Sequence, residues 1–206
     1  MTTALRFDGP ERAALTIALA HGAGAPMDDR FLAAITDGLA AHGFRVVRFE
    51  FPYMAARRDD GVRRGPDRQP VLLDTWREVV ATLGGGGGLV VGGKSLGGRM
   101  ASLVADEVGA RGLVCLGYPF HPPGKPAQLR TAHLATLRTP ALIVQGERDP
   151  FGTPDEVAAY ALSPAIRVHW IPDGDHSLVP RKASGRTRDE NLAEAVEAVA
   201  RFVAAI

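Results

Sequence analysis

The chain has 206 residues, with 24 basic against 23 acidic side chains and one cysteine. That length suits one domain, 1–206, with a full core. The near-neutral balance argues against a dedicated nucleic-acid binder or a polybasic membrane anchor, and the lone Cys115 excludes an internal disulfide framework and a cysteine-based zinc site.

Taken in order, Ala4-Leu5-Arg6-Phe7 reads as a short edge strand. Leu15–Ala20 reads as a buried strand, continuous rather than alternating, as parallel strands covered on both faces do. The run Ala13–Ala20 ends in Ala-Leu-Ala like a signal-peptide core. However, it is short, and Asp8 and Glu11 spoil a cationic leader, so a cytoplasmic protein is expected. The loop His21-Gly22-Ala23-Gly24-Ala25-Pro26 follows. Asp28 is the candidate N-cap of a helix carrying Phe31, Ile35 and Leu39 at helical spacing and closed by Gly43. Phe44–Phe51 is the next strand. Residues 53–70 are polar and broken by glycine and proline, and predict a mobile loop. An alternative use for its arginines is attraction of an anionic acyl substrate. Val71–Leu83 predicts a helix, and five glycines then lead into the strand Leu89–Val91. A helix carrying Met100, Leu103 and Val104 begins behind Ser95. The strand Gly112–Gly117 runs into the proline-rich loop Tyr118–Pro126. A short helix over Thr131–Leu137, the strand Ala141–Val144, a helix over Pro154–Leu162 and the strand Arg167–Ile171 complete the alternation. The basic loop Arg181–Arg188 and an amphipathic helix with Leu192, Val196, Val199 and Phe202 close the chain. Strands alternating with helices over short connections predict an α/β fold, a mostly parallel sheet with helices on both faces.

Two motifs overlap at the centre. Gly88-Leu89-Val90-Val91-Gly92-Gly93-Lys94-Ser95 satisfies the phosphate-cradling pattern G-x-x-x-x-G-K-S. In that motif the variable residues form the loop and a strand precedes the first glycine. Here the valines are the strand and glycines stand before it, so the nucleotide reading fails on order. Gly93-Lys94-Ser95-Leu96-Gly97 is G-x-S-x-G, a turn that lifts a serine out of a strand-to-helix junction and tolerates only glycine on either side.

Reactive groups in parallel sheets gather beyond the carboxyl ends of the strands. His21-Gly-Ala-Gly, Ser95, Asp149 and His176 each follow a strand. A serine needs a base, usually a histidine oriented by a carboxylate. The order Ser95, Asp149, His176 fits nucleophile, acid and base. An oxyanion needs two N–H donors, for which Leu96 and Ala23 are the candidates, with Gly24 second. His121 is the rival base, because its loop should overhang the site. Glu147, Asp173 and Asp175 are rival acids. Lys94, next to Ser95, is expected to be a structural or surface residue, and Arg99 a salt-bridging surface residue. Gly24, Tyr53, Tyr118, Phe120 and His121 are candidate substrate-pocket residues.

The segments HGAGAPMDDRF, RFEFPYM, GGKSLGGRMAS, YPFHPPGKP, VQGERDPFGTP and IPDGDHSL carry a family resemblance. The chain resembles small α/β-hydrolases of the dienelactone-hydrolase-like kind. It is closer still to a group of short bacterial relatives. That group includes the testis-expressed hydrolase-like protein of animals and the hydrolase-like domain of an animal histone-acetyltransferase complex subunit. The resemblance implies an α/β-hydrolase fold without a lid domain and a triad at Ser95, Asp149 and His176, and leaves the substrate open. The expected function is a serine hydrolase, carboxylesterase- or thioesterase-like, acting on a small-molecule ester or thioester with no metal or organic cofactor and no nucleic-acid or membrane partner. The alternative is a non-catalytic binding or scaffold protein of the same fold.

Overall fold

The computed structural model describes residues 3–206. Seven strands form one sheet: β1 (Leu5–Asp8), β2 (Thr16–Ala20), β3 (Arg45–Phe49), β4 (Leu89–Lys94), β5 (Gly112–Leu116), β6 (Ala141–Gly146) and β7 (Ile166–Ile171). Their order is β1-β3-β2-β4-β5-β6-β7. Only β1 is antiparallel, lying against β3. The helices are α1 (Arg30–Ala41), α2 (Pro52–Asp60), α3 (Gln69–Thr82), α4 (Leu96–Val104), α5 (Pro154–Ala158) and α6 (Arg188–Ala204).

The period of two in each strand divides the core between the faces. Ala18, Val47, Val91 and Cys115 point to one face and pack with Phe49, Trp76 and Met100 beneath α3 and α4. Ile17, Val46, Val90 and Val114 point to the other and pack with Ile35, Leu39 and Val199 beneath α1 and α6. With both faces covered, every residue of β4 is buried, which is why its sequence reads as unbroken rather than alternating. Among the described residues no helix is long and apolar enough to cross a membrane.

The chain leaves β2 in one direction to form β3 and returns past it to form β4, so the strand order reverses between β2 and β4. These two strands pair in parallel with Ala20 opposite Gly93. Their carboxyl ends therefore deliver the His21–Gly24 loop and Ser95 side by side, at the crevice where such sheets bind ligands.

Three expectations are corrected here. Residues 53–70 are not one continuous loop: α2 occupies Pro52–Asp60 and α3 begins at Gln69, which leaves residues 61–68 without regular structure. Proline at its first turn and left-handed Gly61 at its end delimit α2, while Tyr53 and Met54 bury its inner face. Two of the segment's arginines are engaged in ion pairs, Arg58 with Asp28 and Glu50 outside the segment and Arg64 with Asp60 inside it. The cap of α1 is Asp29, whose carboxylate accepts from Phe31 N–H, rather than Asp28. The fifth helix stops at Ala158 instead of Leu162. Pro164 disfavours helix at the residue before it, and the Ser163 hydroxyl donates instead to Leu137 O at 2.6 Å.

Candidate active site

Ser95 stands between the last residue of β4 and the first of α4 with φ 49 and ψ −109. This is a strained conformation for a residue with a β-carbon. The packing around the turn enforces it. A β-carbon on Gly93 would lie 2.2 Å from Ala20 O, and one on Gly97 would lie 2.4 Å from the same oxygen. Backbone can approach this closely only where both neighbours are glycine.

The strain presents the hydroxyl to His176. Ser95 Oγ lies 2.9 Å from His176 Nε2, and His176 Nδ1 lies 2.8 Å from Asp149 Oδ2. With Nδ1–H donating to the carboxylate, Nε2 is left to accept from the serine hydroxyl. Asp149 is fully buried. Its Oδ1 accepts from Phe151 N–H at 2.9 Å and its Oδ2 also accepts from Gln145 Nε2 at 2.9 Å. Gln145 is in turn fixed by accepting from Tyr118 N–H at 2.7 Å. The Phe151 ring lies against the His176 ring with centroids 4.2 Å apart. The structure thus brings Ser95, His176 and Asp149 into one hydrogen-bonded chain. The rival acids lie elsewhere: Asp173 is engaged by Arg148 and Arg181, and Asp175 accepts from Ser177 and Val179 N–H groups.

Beside the serine, Leu96 is the first residue of α4, so its N–H has no intrahelical acceptor. Ala23 is exposed on the neighbouring loop. That loop is held from below by His21. Its Nδ1 donates to Gly22 O at 2.7 Å and its Nε2 accepts from Phe51 N–H at 3.1 Å. These two bonds require a neutral ring, and burial pulls the His21 pKa down in the same sense. Tyr53 adds a second brace, its hydroxyl donating to Ala23 O at 3.0 Å.

Residues 13–204 match the family described as Alpha/beta hydrolase domain. The chain belongs to the α/β-hydrolase domain family. Solved structures of similar fold include an alpha-beta serine hydrolase homologue from Coxiella burnetii, at TM-score 0.71 and 18% identity over 96% of this chain and 89% of that one. A ferulic acid-bound Est1E from Butyrivibrio proteoclasticus aligns at TM-score 0.70 and 18% identity, over 98% of this chain and 94% of that one. A serine hydrolase without lid from Xanthomonas campestris aligns at 0.65 and 18%, over 96% and 88%.

Other residues of this hydrolase depart from expectation. Tyr118 and Phe120 are fully buried and belong to the core rather than to a pocket wall. His121 is also buried, with Nδ1 against Pro122 O and Nε2 facing Glu156 at 3.4 Å, so it does not enter the Ser95 chain. Tyr53 faces the Ala23 backbone, while Gly24 is exposed beside it. Arg99 makes no ion pair among the described residues. It is half-buried with an unpartnered Nε, and desolvation lowers its pKa. A second serine–histidine pair exists, with Ser102 Oγ 2.8 Å from His133 Nε2. Ser102 is buried and already donates to Arg99 O, and His133 lacks a carboxylate among its partners. Burial holds the His133 pKa near 4, so this pair is a core contact.

Sequence reasoning missed Gln145, and of its two readings of Lys94, structural or surface, the surface one fails. A glutamine closing an apolar strand four residues before an aspartate was the available sign for Gln145. Lys94 is buried, and its ammonium donates to the His176 carbonyl.

Proposed function

We propose that this α/β-hydrolase cleaves a small ester or thioester through an acyl-enzyme intermediate. One observation carries the reading: the unbroken chain from Ser95 Oγ through His176 to buried Asp149. In this reaction His176 Nε2 takes the Ser95 proton as Oγ attacks the substrate carbonyl. Asp149 keeps the Nδ1–H tautomer and balances the imidazolium. The N–H groups of Leu96 and Ala23 receive the oxyanion, which collapses as His176 returns the proton to the departing alcohol or thiol. Water, deprotonated by the same histidine, then releases the acid and restores Ser95.

A small substrate fits the surroundings. Between β5 and β6 the chain forms only turns and a short 3-10 segment, Ala132–Thr136, so this connection contributes no helical lid over the serine. An open rim buries little acyl chain, and long lipids need such burial for affinity. The same features agree with kinship to the dienelactone-hydrolase-like group. A fluorophosphonate probe tests the reading. The wild type is expected to be labelled at Ser95 and to cleave short p-nitrophenyl esters or acyl thioesters, and Ser95→Ala is expected to abolish both. Labelling that persists in Ser95→Ala overturns the assignment.

A further inference from the structure

Lys94 is a lysine placed where burial disfavours its charge. It ends β4 and is 8% exposed. Its stem packs against the loop after β2, where a β-carbon on Gly22 would lie 3.5 Å from Lys94 Cγ. Its head packs against the turn after β5, where a β-carbon on Gly117 would lie 2.7 Å from Lys94 Nζ and 3.0 Å from His176 O. The Nζ donates to that His176 carbonyl and sits 5.2 Å from the centroid of the Phe31 ring. One side chain therefore joins the turn bearing Ala23, the exit of β5 and the loop bearing His176.

We propose that Lys94 is a positioning residue. Its protonated amine pins the His176 main chain, so that the imidazole stays in line between Ser95 and Asp149. The proposal rests on the esterase reading above. A methionine would fill the same slot without desolvating a charge, so packing alone does not call for an ammonium here. What the ammonium adds is a charge-assisted bond to a carbonyl, roughly twice as strong as a neutral one. The ionisable groups around it are Asp149 from the turn after β6, Asp175 from the loop after β7 and Asp29 at the start of α1, with His176 itself attached. Among the described residues no carboxylate pairs with it directly, and the histidine carbonyl is its hydrogen-bond partner. Desolvation outweighs the three carboxylates and brings the Lys94 pKa down to about 8. Above that pH the tether becomes a neutral amine.

The experiment compares the wild type with Lys94→Met by the fluorophosphonate labelling rate from pH 6.5 to 9.5, kcat and KM on p-nitrophenyl acetate, and thermal melting. In the wild type, labelling is expected to fall as the pH passes about 8. In Lys94→Met, kcat is expected to drop about tenfold to a hundredfold, as small misplacements of a reacting group do. KM should stay within about twofold, the alkaline fall should vanish, and the melting midpoint at pH 7 should equal or exceed that of the wild type. A merely structural lysine would lower the midpoint and leave the shape of the pH profile alone. Equal kcat in the two proteins, with wild type labelled at Ser95, removes the role of Lys94 and leaves the esterase reading standing. If Lys94→Met does not fold, the wild-type profile decides, and a rate that does not fall between pH 7 and 9.5 overturns the proposal. A wild type never labelled at Ser95 overturns the esterase reading and this proposal with it.

Discussion

His176 is held at both ring nitrogens, by a buried carboxylate on one side and the serine hydroxyl on the other. The carboxylate side decides the tautomer, so Asp149→Asn is an informative change. An asparagine amide can donate to Nδ1, which moves the ring proton to Nε2 and leaves the serine without an acceptor. We expect kcat on a short ester to fall by about 10³–10⁴ with KM nearly unchanged. A loss below tenfold would remove Asp149 from the mechanism. These three residues were legible in the sequence because each lies in the loop just after a strand, and strand ends can be read from apolar runs. The contacts of Lys94, Gln145 and Tyr53 were not. Their partners are largely backbone atoms, namely His176 O, Tyr118 N and Ala23 O. No pattern in the sequence records where a distant carbonyl or amide will point. Arg99 misled for a related reason: an arginine on a helix suggests a surface ion pair, whereas its Nε is buried without a partner.

Among the elements, α2 was the one hidden from sequence reading. Its polar composition masks the two residues that anchor it, Tyr53 and Met54, and its helical state depends on burying them. Once formed, it places the Tyr53 hydroxyl against the loop bearing Ala23. Removing that hydroxyl in Tyr53→Phe deletes one hydrogen bond and keeps the ring, so stability should change by about 1 kcal/mol. The loop is expected to lose its brace, and kcat to fall several-fold at constant KM. An unchanged kcat would show that His21 alone holds the loop. The parallel order of the sheet, by contrast, was implied by the strand–helix alternation, though which strands neighbour each other was not. The close approach of α4 to β2 makes that arrangement strict. A β-carbon on Gly97 would lie 2.4 Å from Ala20 O and 2.7 Å from His21 O. Gly97→Ala should therefore cost about 1–3 kcal/mol, read as a lower urea midpoint with the slope preserved. A midpoint equal to the wild type would mean that β2 and α4 separate freely, contrary to the packing described.

At the scale of the whole molecule, the buried ionisable groups set a dependence of stability on pH that differs from that of activity. His21 and His133 both have pKa values lowered by desolvation, that of His133 to about 4. An unfolded histidine takes up its proton near pH 6.5, before either folded one does. The unfolded chain then binds more protons below that pH, and stability falls there by about 1.4 kcal/mol per pH unit per histidine. For His133 this loss ends near pH 4, where the folded ring protonates as well. On the alkaline side Lys94 acts with the same sign. Its folded pKa is about 8 against 10.5 for the free side chain, so the unfolded state again holds more protons and stability rises as pH increases through this window. Cys115 works against it from about pH 9, because burial raises its pKa and the unfolded thiol ionises first. Tyr53 and Tyr118, also raised by burial, add their loss above about pH 10. The sum is a gain from pH 8 to 9, near-cancellation to about pH 10, and decline beyond. We therefore expect the melting midpoint at pH 9 to equal or exceed that at pH 7.5, while Ser95 labelling is already falling. The midpoint at pH 5 should lie below both. Melting and labelling that decline together above pH 8 would mean that activity is lost by unfolding, not by release of the Lys94 tether.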